Sequence, residues 1–555
     1  MNKILHKTLA ILDKEEKKKI WQLAIEDVFT SILDIFFLIV LLFLVRFYTE
    51  PPASQNFHRF QEGREILNSH PILFLFLFLL LFAVKNLLGF LVSKQQYEFA
   101  YRVASRISKN ALRSFLDSSY ADYVHIDSSV INRRISQQPV EFSHFVLNGF
   151  QQIFTQLVLI VLTIAAITLY NPILFPFLLL IMIPPVLFIG VFIKKKMNIS
   201  RQLGKQTSEK SMQFLQEALT GFIESNTYGK NNFFTDRYDR FQSRLNKYLA
   251  DRIVIQNMPS RMIEVFAVFG LFVLVALNYI ISGDSTVRLV TVGALMISAY
   301  KIIPGIVKII NTAGQIKTYS FTTEGLTAEA EKSNPLQMVT GIETLEFKNV
   351  FFNYGDRKIL KNFSVFLTRG EMLGISGLSG RGKTTFINLL LGFLEPGSGS
   401  IWLNGKPAGP AERKAAWSRI AYVKQQPFLL HASIAENITF QETGYDEQKL
   451  WKILNLTGLQ TTIDSFPQGL QTIVTENGKN FSGGQRQRIV FARSLYKDAD
   501  VLILDEPFNE LDSSSENDML LCLQNMVSEG KIVLLITHNH AAIEYCNKKY
   551  LLDEA

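Results

Sequence analysis

Three short motifs near the C-terminal end of the chain carry residues suited to phosphate chemistry. The first runs from Gly377 to Thr384 and fits the pattern G-x-x-x-x-G-K-[ST]. In this pattern, backbone N–H groups curl around phosphate oxygens and a helix N-terminus faces the anion. Lys383 would neutralise the β and γ phosphates, and the hydroxyl of Thr384 would bind Mg²⁺. Such a pattern also arises by chance in a long chain, so the flanking residues must decide whether this one is a phosphate-binding loop.

The flanking residues predict that this loop lies between a strand and a helix. Apolar residues 372–376 predict a buried strand that enters the loop, and residues 385–392 predict a helix that leaves it. Further along, the apolar run 501–504 ends in Asp505 and Glu506. This places one carboxylate near the metal and the next near the γ phosphate. Together these features predict a P-loop domain that hydrolyses nucleotide.

The remaining motif, Ser482-Gly483-Gly484-Gln485, lies between the phosphate loop and Asp505-Glu506 in the chain, and it relates the chain to a family. With the three motifs in this order, the chain resembles the ATP-binding cassette (ABC) transporters over nearly its whole length. In that family two cassettes meet head to tail, and each signature loop closes on the γ phosphate held by the other cassette. The resemblance therefore implies that one chain alone does not complete a site.

The resemblance implies roles for further residues, each carried over by its position relative to the motifs. Tyr354 matches the aromatic residue that stacks on adenine, and Gln425 matches the glutamine that senses Mg²⁺ and the attacking water. Glu506 matches the residue that polarises this water, His538 the histidine that contacts the γ phosphate, and Asp512 the aspartate that couples the two sites. The expected ATP contacts are Tyr354, Ser379, Gly380, Arg381, Gly382, Lys383, Thr384 and Thr385, and the expected Mg²⁺ ligands are Thr384, Gln425 and Asp505.

Three features depart from the family pattern. Phe481 stands where a leucine usually precedes the signature serine, and Asn509-Glu510 replaces the usual Ser-Ala. Ala555 closely follows the last predicted strand, 550–553, which predicts that the usual C-terminal tail is nearly absent. None of these departures removes a catalytic group, although each can tune the ATPase rate or the choice of partner.

The N-terminal half of this 555-residue chain carries its long apolar runs. Each has roughly 20 residues, enough at about 1.5 Å per residue to cross a hydrocarbon core of about 30 Å. The predicted spans are 28–48, 71–93, 150–170, 172–193, 262–282 and 286–310. The sequence therefore predicts an α-helical polytopic membrane domain over residues 1–325, a linker at 326–343, and an α/β P-loop NTPase cassette over 344–555. The resemblance implies that the membrane domain, with its six spans, is of the exporter type.

The distribution of cations predicts how the spans are oriented. Lysine and arginine cluster in the leader, after the second span and after the fourth span, whereas the turns at 171–172 and 282–285 hold neither. Cytoplasmic loops carry the excess of cations, so both termini and the cassette are expected in the cytoplasm of a multi-pass inner-membrane protein. The cytoplasmic stretches are expected to be helices. Their turning points, 120–127 and 228–234, are either coupling helices that contact a cassette, by resemblance, or solvated loops.

The overall charge points to lipid rather than to nucleic acid. The formal net charge is +8, but the basic residues lie mainly beside the predicted spans, where anionic lipid headgroups account for them. The two cysteines, Cys522 and Cys546, both fall in the predicted cassette. This count and this compartment exclude a disulfide framework.

Three ionisable residues inside the spans are candidates for the transport cavity, because such groups usually face a partner or a wet cavity. Asp34 and Lys85 lie at similar depths in the first two spans, so they either pair with each other or contact substrate. Lys301 precedes Pro304 in the last span. It either makes the cytoplasmic half of the cavity cationic, or it extends toward the headgroups together with Lys308.

The linker between the first two spans has apolar residues at helical spacing over 57–66, and it predicts a helix lying on the outer surface. With the leader, this linker resembles that of the lipid-linked oligosaccharide flippases among ABC exporters.

The leading interpretation is a homodimeric half-transporter that uses ATP and Mg²⁺ to export or flip an amphipathic, lipid-linked or anionic substrate. The alternatives are a peptide or drug exporter, possibly heterodimeric with a related half-transporter, and an ATP-gated channel or receptor. A soluble ATPase acting on nucleic acid is disfavoured by the six spans.

Overall fold

A computed structural model of the protein describes residues 1–49, 71–170, 203–282, 289–327 and 341–552, apart from short gaps at 119, 121–123, 125, 127, 205, 379 and 476–477. The chain divides into two units. The first comprises residues 1–118 and 124–333, and the second comprises 119–123 and 334–555. The predicted fourth span, 172–193, and the predicted surface helix, 57–66, lie outside the described residues.

Helices, several of them long, make up the described part of the first unit. They include α1 (Asn2–Ile11), α2 (Lys14–Thr49), α3 (Pro71–Leu116), α4 (Ser128–Asn132), α5 (Gln138–Glu141), α6 (Asn148–Tyr170), α7 (Phe222–Thr227), α8 (Asn231–Ser282), α9 (Leu289–Tyr319) and α10 (Thr322–Thr327). Helices α2, α3, α6, α8 and α9 contain all or nearly all of five predicted spans, and α3 continues beyond its span as expected. Two described stretches, Ile72–Leu116 and Val130–Ala166, have the length and hydropathy of a membrane span.

A proline divides the helical segment that precedes α6. Pro139 lies in α5, and π-helical turns flank it at Arg133–Gln137 and Phe142–Leu147. Proline removes one backbone donor and clashes with the preceding turn, and widened turns are a common way to accommodate such a break. The second π turn buries Phe142 and Val146 completely, so this irregular segment still contributes to the core of the unit.

The ionisable residues of the first spans are paired across helices. Lys85 Nζ on α3 donates a hydrogen bond to Asp34 Oδ1 on α2, and the two side chains are 11% and 25% exposed. The structure thus has the pairing that was one of the two alternatives for these residues. Lys301 lies on α9, and its side chain is outside the described part of the structure.

A second polar contact, which the sequence pattern did not reveal, joins three helices. Gln96 Nε2 on α3 and Thr155 Oγ1 on α6 each donate to Asp27 Oδ2 on α2, both at 2.6 Å. Asp27 is buried, so these two donors compensate part of the cost of removing its carboxylate from water. The contact fixes α2, α3 and α6 together at one level.

The described part of the second unit contains eleven strands and further helices. The strands are β1 (Thr344–Tyr354), β2 (Arg357–Thr368), β3 (Met372–Ser376), β4 (Ser398–Leu403), β5 (Lys406–Pro407), β6 (Ile420–Val423), β7 (Ala432–Ser433), β8 (Ile473–Val474), β9 (Val501–Asp505), β10 (Ile532–Ile536) and β11 (Lys548–Leu551). The α-helices are α11 (Lys383–Leu390), α12 (Pro410–Ala415), α13 (Ile434–Thr439), α14 (Glu447–Leu456), α15 (Gln460–Asp464), α16 (Gly483–Tyr496), α17 (Ser513–Ser528) and α18 (His540–Glu544).

A parallel sheet forms the centre of this unit. Its strand order is β11-β3-β10-β9-β6, and an antiparallel sheet of order β2-β1-β4-β5 accompanies it. Strands β9 and β10 are buried at every position, as expected of parallel strands covered on both faces. One hydrophobic cluster contains residues of α11 and the antiparallel sheet, and another contains residues of α13, α14, α16 and α17.

The predicted element boundaries agree with the structure at the strand before the phosphate loop and differ slightly elsewhere. Strand β3 spans 372–376 as predicted, whereas α11 begins at Lys383, two residues before the predicted start. The last strand covers 548–551 rather than 550–553, because its pairing with β3 begins at Lys548 opposite Leu373. Residue 120 belongs to the second unit, in which Tyr120 stacks on Phe393 with ring centroids 4.6 Å apart.

A buried arginine holds the turn after α11 in place. Arg413 on α12 is only 2% exposed. Its Nη1 atom donates to the carbonyls of Leu389 and Leu394, and its Nε atom donates to the carbonyl of Gly409. Burial lowers the pKa of Arg413, and the carbonyl acceptors offset part of the lost hydration.

We expect Arg413→Met to destabilise this region by about 3 kcal/mol, because methionine fills the space but leaves buried carbonyls without a donor. Hydrogen exchange of the full chain in lipid discs measures the effect. Peptides covering 386–394 should exchange faster than in the parent, whereas Arg357→Met at an exposed position should change nothing. Equal exchange in the two variants would contradict the role given to Arg413.

Candidate functional site

The phosphate loop, residues 377–384, follows β3 and leads into α11. Gly380 and Gly382 have φ values of +80° and +104°, which favour glycine. A Cβ atom at Gly382 would also lie 2.9 Å from Ile359 Cγ2. Lys383 Nζ folds back and donates to the carbonyl of Gly377 at 3.0 Å. The backbone thus forms a curled loop at a helix N-terminus, as anion binding requires.

The parallel register gathers residues from distant parts of the sequence at one edge of the sheet. Strands β3, β10 and β9 are neighbours and run in the same direction, so their carboxyl ends meet. Lys383 follows β3, Glu506 follows β9, and His538 follows β10. Lys383 Nζ donates to Glu506 Oε1 at 3.0 Å, and His538 Nδ1 lies 2.7 Å from Glu506 Oε2. We call these three residues the Glu506 cluster.

The backbone fixes the direction of the Glu506 side chain. Glu506 has φ of +50°, an uncommon conformation for a residue with a Cβ atom. Its N–H donates to the carbonyl of Ile536 at 2.8 Å, so strand β10 holds it in this conformation. The strain costs on the order of 1 kcal/mol. In this conformation the Glu506 carboxylate is only 7% exposed and faces the lysine of the phosphate loop.

This arrangement can orient a water molecule for attack on a phosphate. A phosphate oxygen near the loop would compete with Glu506 for the ammonium of Lys383, which would free Oε1 to accept a hydrogen bond from water. His538 is 68% exposed while Glu506 is nearly buried, so the imidazole is within reach of a ligand that arrives from solvent. The geometry therefore fits general-base or water-positioning chemistry.

Asp505, the last residue of β9, has a hydrogen-bond donor that the sequence analysis did not assign. Tyr422 Oη on the adjacent strand β6 donates to Asp505 Oδ2 at 3.3 Å. Burial raises the pKa of Asp505, the hydrogen bond from Tyr422 lowers it, and the charge of Glu506 raises it again. Burial also raises the pKa of Tyr422, so this hydroxyl remains a donor. The available signal was a tyrosine in an otherwise apolar strand, beside β9.

The side-chain oxygen atoms at this edge of the sheet are suitable ligands for a Mg²⁺ ion bound to nucleotide. No cluster of three or more His, Cys, Asp or Glu side chains suited to a metal occurs in the described part of the chain. Magnesium typically takes one or two protein oxygens together with substrate phosphates and water, and the Asp505 carboxylate and the Thr384 hydroxyl supply such oxygens. Gln425 is exposed just after β6 at the same edge. These residues would hold Mg²⁺, which would supply charge neutralisation at the phosphates.

Most of the remaining predicted ATP contacts lie at the phosphate loop, and one lies on the antiparallel sheet. Arg381 and Thr384 are exposed and Thr385 is buried, while Ser379 lies outside the described residues. Tyr354, at the end of β1, is 51% exposed. Its ring meets Phe352 edge-on with centroids 4.9 Å apart, which leaves a ring face open for stacking.

The signature loop, Ser482–Gln485, begins helix α16. Ser482 is the N-cap, and it exchanges hydrogen bonds with Gln485 in a capping box, with Ser482 N donating at 2.9 Å and Gln485 N donating at 3.3 Å. The preceding Phe481 is buried and packs against Phe466 with centroids 5.4 Å apart. The departure from leucine at this position is therefore accommodated in the core.

Asp512 caps helix α17. Its Oδ1 atom accepts a hydrogen bond from Ser515 N at 2.7 Å, and this bond holds the pKa of Asp512 below its usual value. Within the described residues, hydrogen bonds connect neither Asp512 nor Ser482 to the Glu506 cluster. The structure of one chain thus brings together Lys383, Glu506 and His538, and leaves the signature loop and Asp512 on separate helices.

The fold and the site define a P-loop nucleotide-binding domain that shares a chain with a helical membrane unit. The family model of the ABC transporter transmembrane region matches residues 20–300, and the ABC transporter model matches residues 360–509. The chain belongs to the ABC transporter family and is a membrane protein. This confirms both the resemblance inferred from the motifs and the predicted fold class.

Named relatives cover part of the chain. The ATP-dependent lipid A-core flippase of Burkholderia orbicola (strain AU 1054) is 29% identical over 377 residues, which is 66% of this chain and 63% of the relative. A probable ABC transporter ATP-binding/permease protein of Haemophilus influenzae is 29% identical over 345 residues, which is 60% of this chain and 62% of the relative. These matches span less than two thirds of each relative.

A solved structure shares the whole fold. The structure of a bacterial Atm1-family ABC exporter with ATP bound aligns with a TM-score of 0.75 at 17% sequence identity, and the alignment covers 98% of this chain and 94% of that one. The likeness therefore extends over both the membrane unit and the cassette.

We expect Tyr422→Phe to shift the acid limb of Mg²⁺-dependent ATP hydrolysis to higher pH. The substitution removes a hydrogen bond that lowers the pKa of Asp505, so the carboxyl keeps its proton to higher pH and protons compete longer with Mg²⁺. The pH profile of phosphate release measures this shift. Tyr550→Phe on β11 is the control, and an acid limb that stays in place in both variants would contradict the assignment.

Proposed function

We propose that the protein is an ATP-hydrolysing half-transporter, in which two copies form the working unit and move an amphipathic substrate outward across the cytoplasmic membrane. ATP and Mg²⁺ bind at the phosphate loop of each cassette. The signature loop of one copy closes on the nucleotide held by the other, and hydrolysis resets the pair. Both termini and the cassettes lie in the cytoplasm.

The observation that carries this proposal is the Glu506 cluster on a chain that also has a membrane unit. A carboxylate held in a left-handed backbone conformation beside the loop lysine is suited to hydrolysis, whereas a receptor or channel that only binds ATP needs no group to orient water. An intact signature loop on the same chain as Glu506 supports two equivalent sites and hence a homodimer. A heterodimer with a related half-transporter is the alternative assembly.

Within one site we assign the steps to particular residues. Lys383 binds the β and γ phosphates, and Tyr354 stacks on the adenine. Glu506 polarises the attacking water, while His538 contacts the γ phosphate and holds Glu506 in position through their 2.7 Å contact. Mg²⁺, held by Thr384, Gln425 and Asp505, neutralises the phosphates.

The substrate class is proposed from the relatives and from the charges of the membrane unit. Several relatives are named ATP-dependent lipid A-core flippases, and this name suggests a lipid-linked substrate. Because Asp34 and Lys85 neutralise each other, Lys301 is the cation that we assign to a phosphate-bearing headgroup. A lipid-linked or otherwise anionic amphipath therefore fits better than a peptide or a neutral drug, which remain the alternatives.

We expect Glu506→Gln to lower ATP hydrolysis by about a thousandfold, to near background, while the protein retains bound ATP. The amide keeps the shape of the side chain but does not attract a water proton as the carboxylate does. Phosphate release and nucleotide retention in lipid discs measure both effects. Glu529→Gln, at an exposed position at the end of α17, is the matched control, and undiminished phosphate release in Glu506→Gln would refute the proposed function of that residue.

We expect Lys301→Ala to raise the concentration of anionic glycolipid that gives half-maximal stimulation of ATP hydrolysis by about threefold, since one cationic contact is lost. A diphosphorylated glycolipid is the test ligand, and a zwitterionic phospholipid is the comparison. Lys247→Ala, at an exposed position on α8, serves as control. Equal stimulation of Lys301→Ala and parent by the anionic glycolipid would contradict the proposal of a cationic cavity.

A further inference from the structure

Glu510, one of the departures from the family pattern, lies directly against the signature loop. Its Oε2 atom accepts a hydrogen bond from Arg486 Nη2 at 3.2 Å. A Cβ atom built on Gly483 would lie 1.8 Å from the same Oε2 atom, and one built on Gly484 would lie 3.1 Å from the carbonyl oxygen of Glu510. Glycine at position 483 is therefore what leaves room for this carboxylate.

The carboxylate is placed where an anion is electrostatically favoured. Gly483 and Gly484 are the first two residues of α16, and the N–H groups of a first helical turn have no partner within the helix. Such a turn carries a partial positive charge that attracts anions. Glu510 supplies a negative charge from within the same chain. Its side chain is 48% exposed, so the attraction is moderate and sensitive to salt.

We propose that Glu510 is an internal anion that competes with the γ phosphate for the signature loop, and that it thereby sets the ATP concentration at which two cassettes close. The inference rests on the proposed function, because it requires a phosphate of the partner copy to reach this loop. The incoming phosphate and the carboxylate repel each other at the same helix end. Closure then requires either that Glu510 moves aside or that the phosphate binds against its charge.

Arg486 moderates this competition. It also suggests an alternative role for Glu510, which is to orient the Arg486 side chain. The guanidinium neutralises part of the charge of Glu510. Its Nε atom is buried and has no hydrogen-bond partner among the described residues, so the contact with Glu510 helps to orient it. If Glu510 served only to orient Arg486, loss of their hydrogen bond would weaken ATP-dependent closure. Competition with the γ phosphate predicts the opposite.

Steady-state ATP hydrolysis by the full chain in lipid discs, measured over a range of ATP at excess Mg²⁺, separates the two roles. Glu510→Gln keeps the shape of the side chain and an acceptor for Arg486 but removes the charge, and Glu510→Ala removes both. We expect the KM for ATP to fall about fivefold in both variants with little change in kcat. High salt should reduce the difference from the parent, and Glu529→Gln should behave as the parent does.

A second measurement is independent of turnover. In the Glu506→Gln background, adding Glu510→Gln should lower the ATP concentration needed for nucleotide retention by a similar factor. A KM and a retention curve unchanged by Glu510→Gln would overturn the inference, as would a raised KM in Glu510→Ala. A parent that releases no phosphate would overturn the proposed function and this inference together, whereas an active parent with an unchanged KM in Glu510→Gln overturns the inference alone.

Discussion

The candidate site depends on the hydrogen bond from Glu506 N to the carbonyl of Ile536, at 2.8 Å. This bond continues the parallel pairing of β9 and β10 by one residue beyond Asp505, and it holds Glu506 in a conformation that the residue would not adopt alone. Because β3 is the other neighbour of β10, the phosphate loop starts at the same edge. The register of this five-stranded parallel sheet thus fixes the positions of a lysine, two carboxylates and a histidine drawn from distant parts of the chain.

In the membrane unit, two carboxylates have partners on other helices. Asp27 receives hydrogen bonds from two helices, and Asp34 pairs with Lys85. Such contacts offset the cost of burying charge and specify which helices lie together. The ion pair between Asp34 and Lys85 makes those two charges less available to a substrate, and the proposal for the cavity therefore uses Lys301.

The sequence predicted the parts of the structure that depend on local pattern. Residues 372–376 are apolar and lead into glycines, so β3 and its loop were predicted with correct strand boundaries. The apolar runs likewise predicted the helices that hold five spans. The contacts between distant residues were beyond such reasoning. Neither the hydrogen bond from Tyr422 to Asp505 nor the approach of Glu510 to Gly483 has a sequence spacing that reveals it, because both depend on how β6, β9 and α16 come together in the tertiary fold. The start of β11 at Lys548 also depends on pairing with β3 and not on its own composition.

The central claim is that nucleotide lies between two copies of the chain, and site-directed cross-linking tests it most directly. One variant carries Ser482→Cys and the other carries Arg381→Cys, and the two are mixed in lipid discs. The native Cys522 and Cys546 interfere little, because both are buried and burial raises their pKa values to about 11 and about 12. The account predicts a covalent dimer that forms from the mixture when ATP and Mg²⁺ are present and not from either variant alone. A mixture that yields no covalent dimer at any ATP concentration, or the same yield without nucleotide, would contradict it.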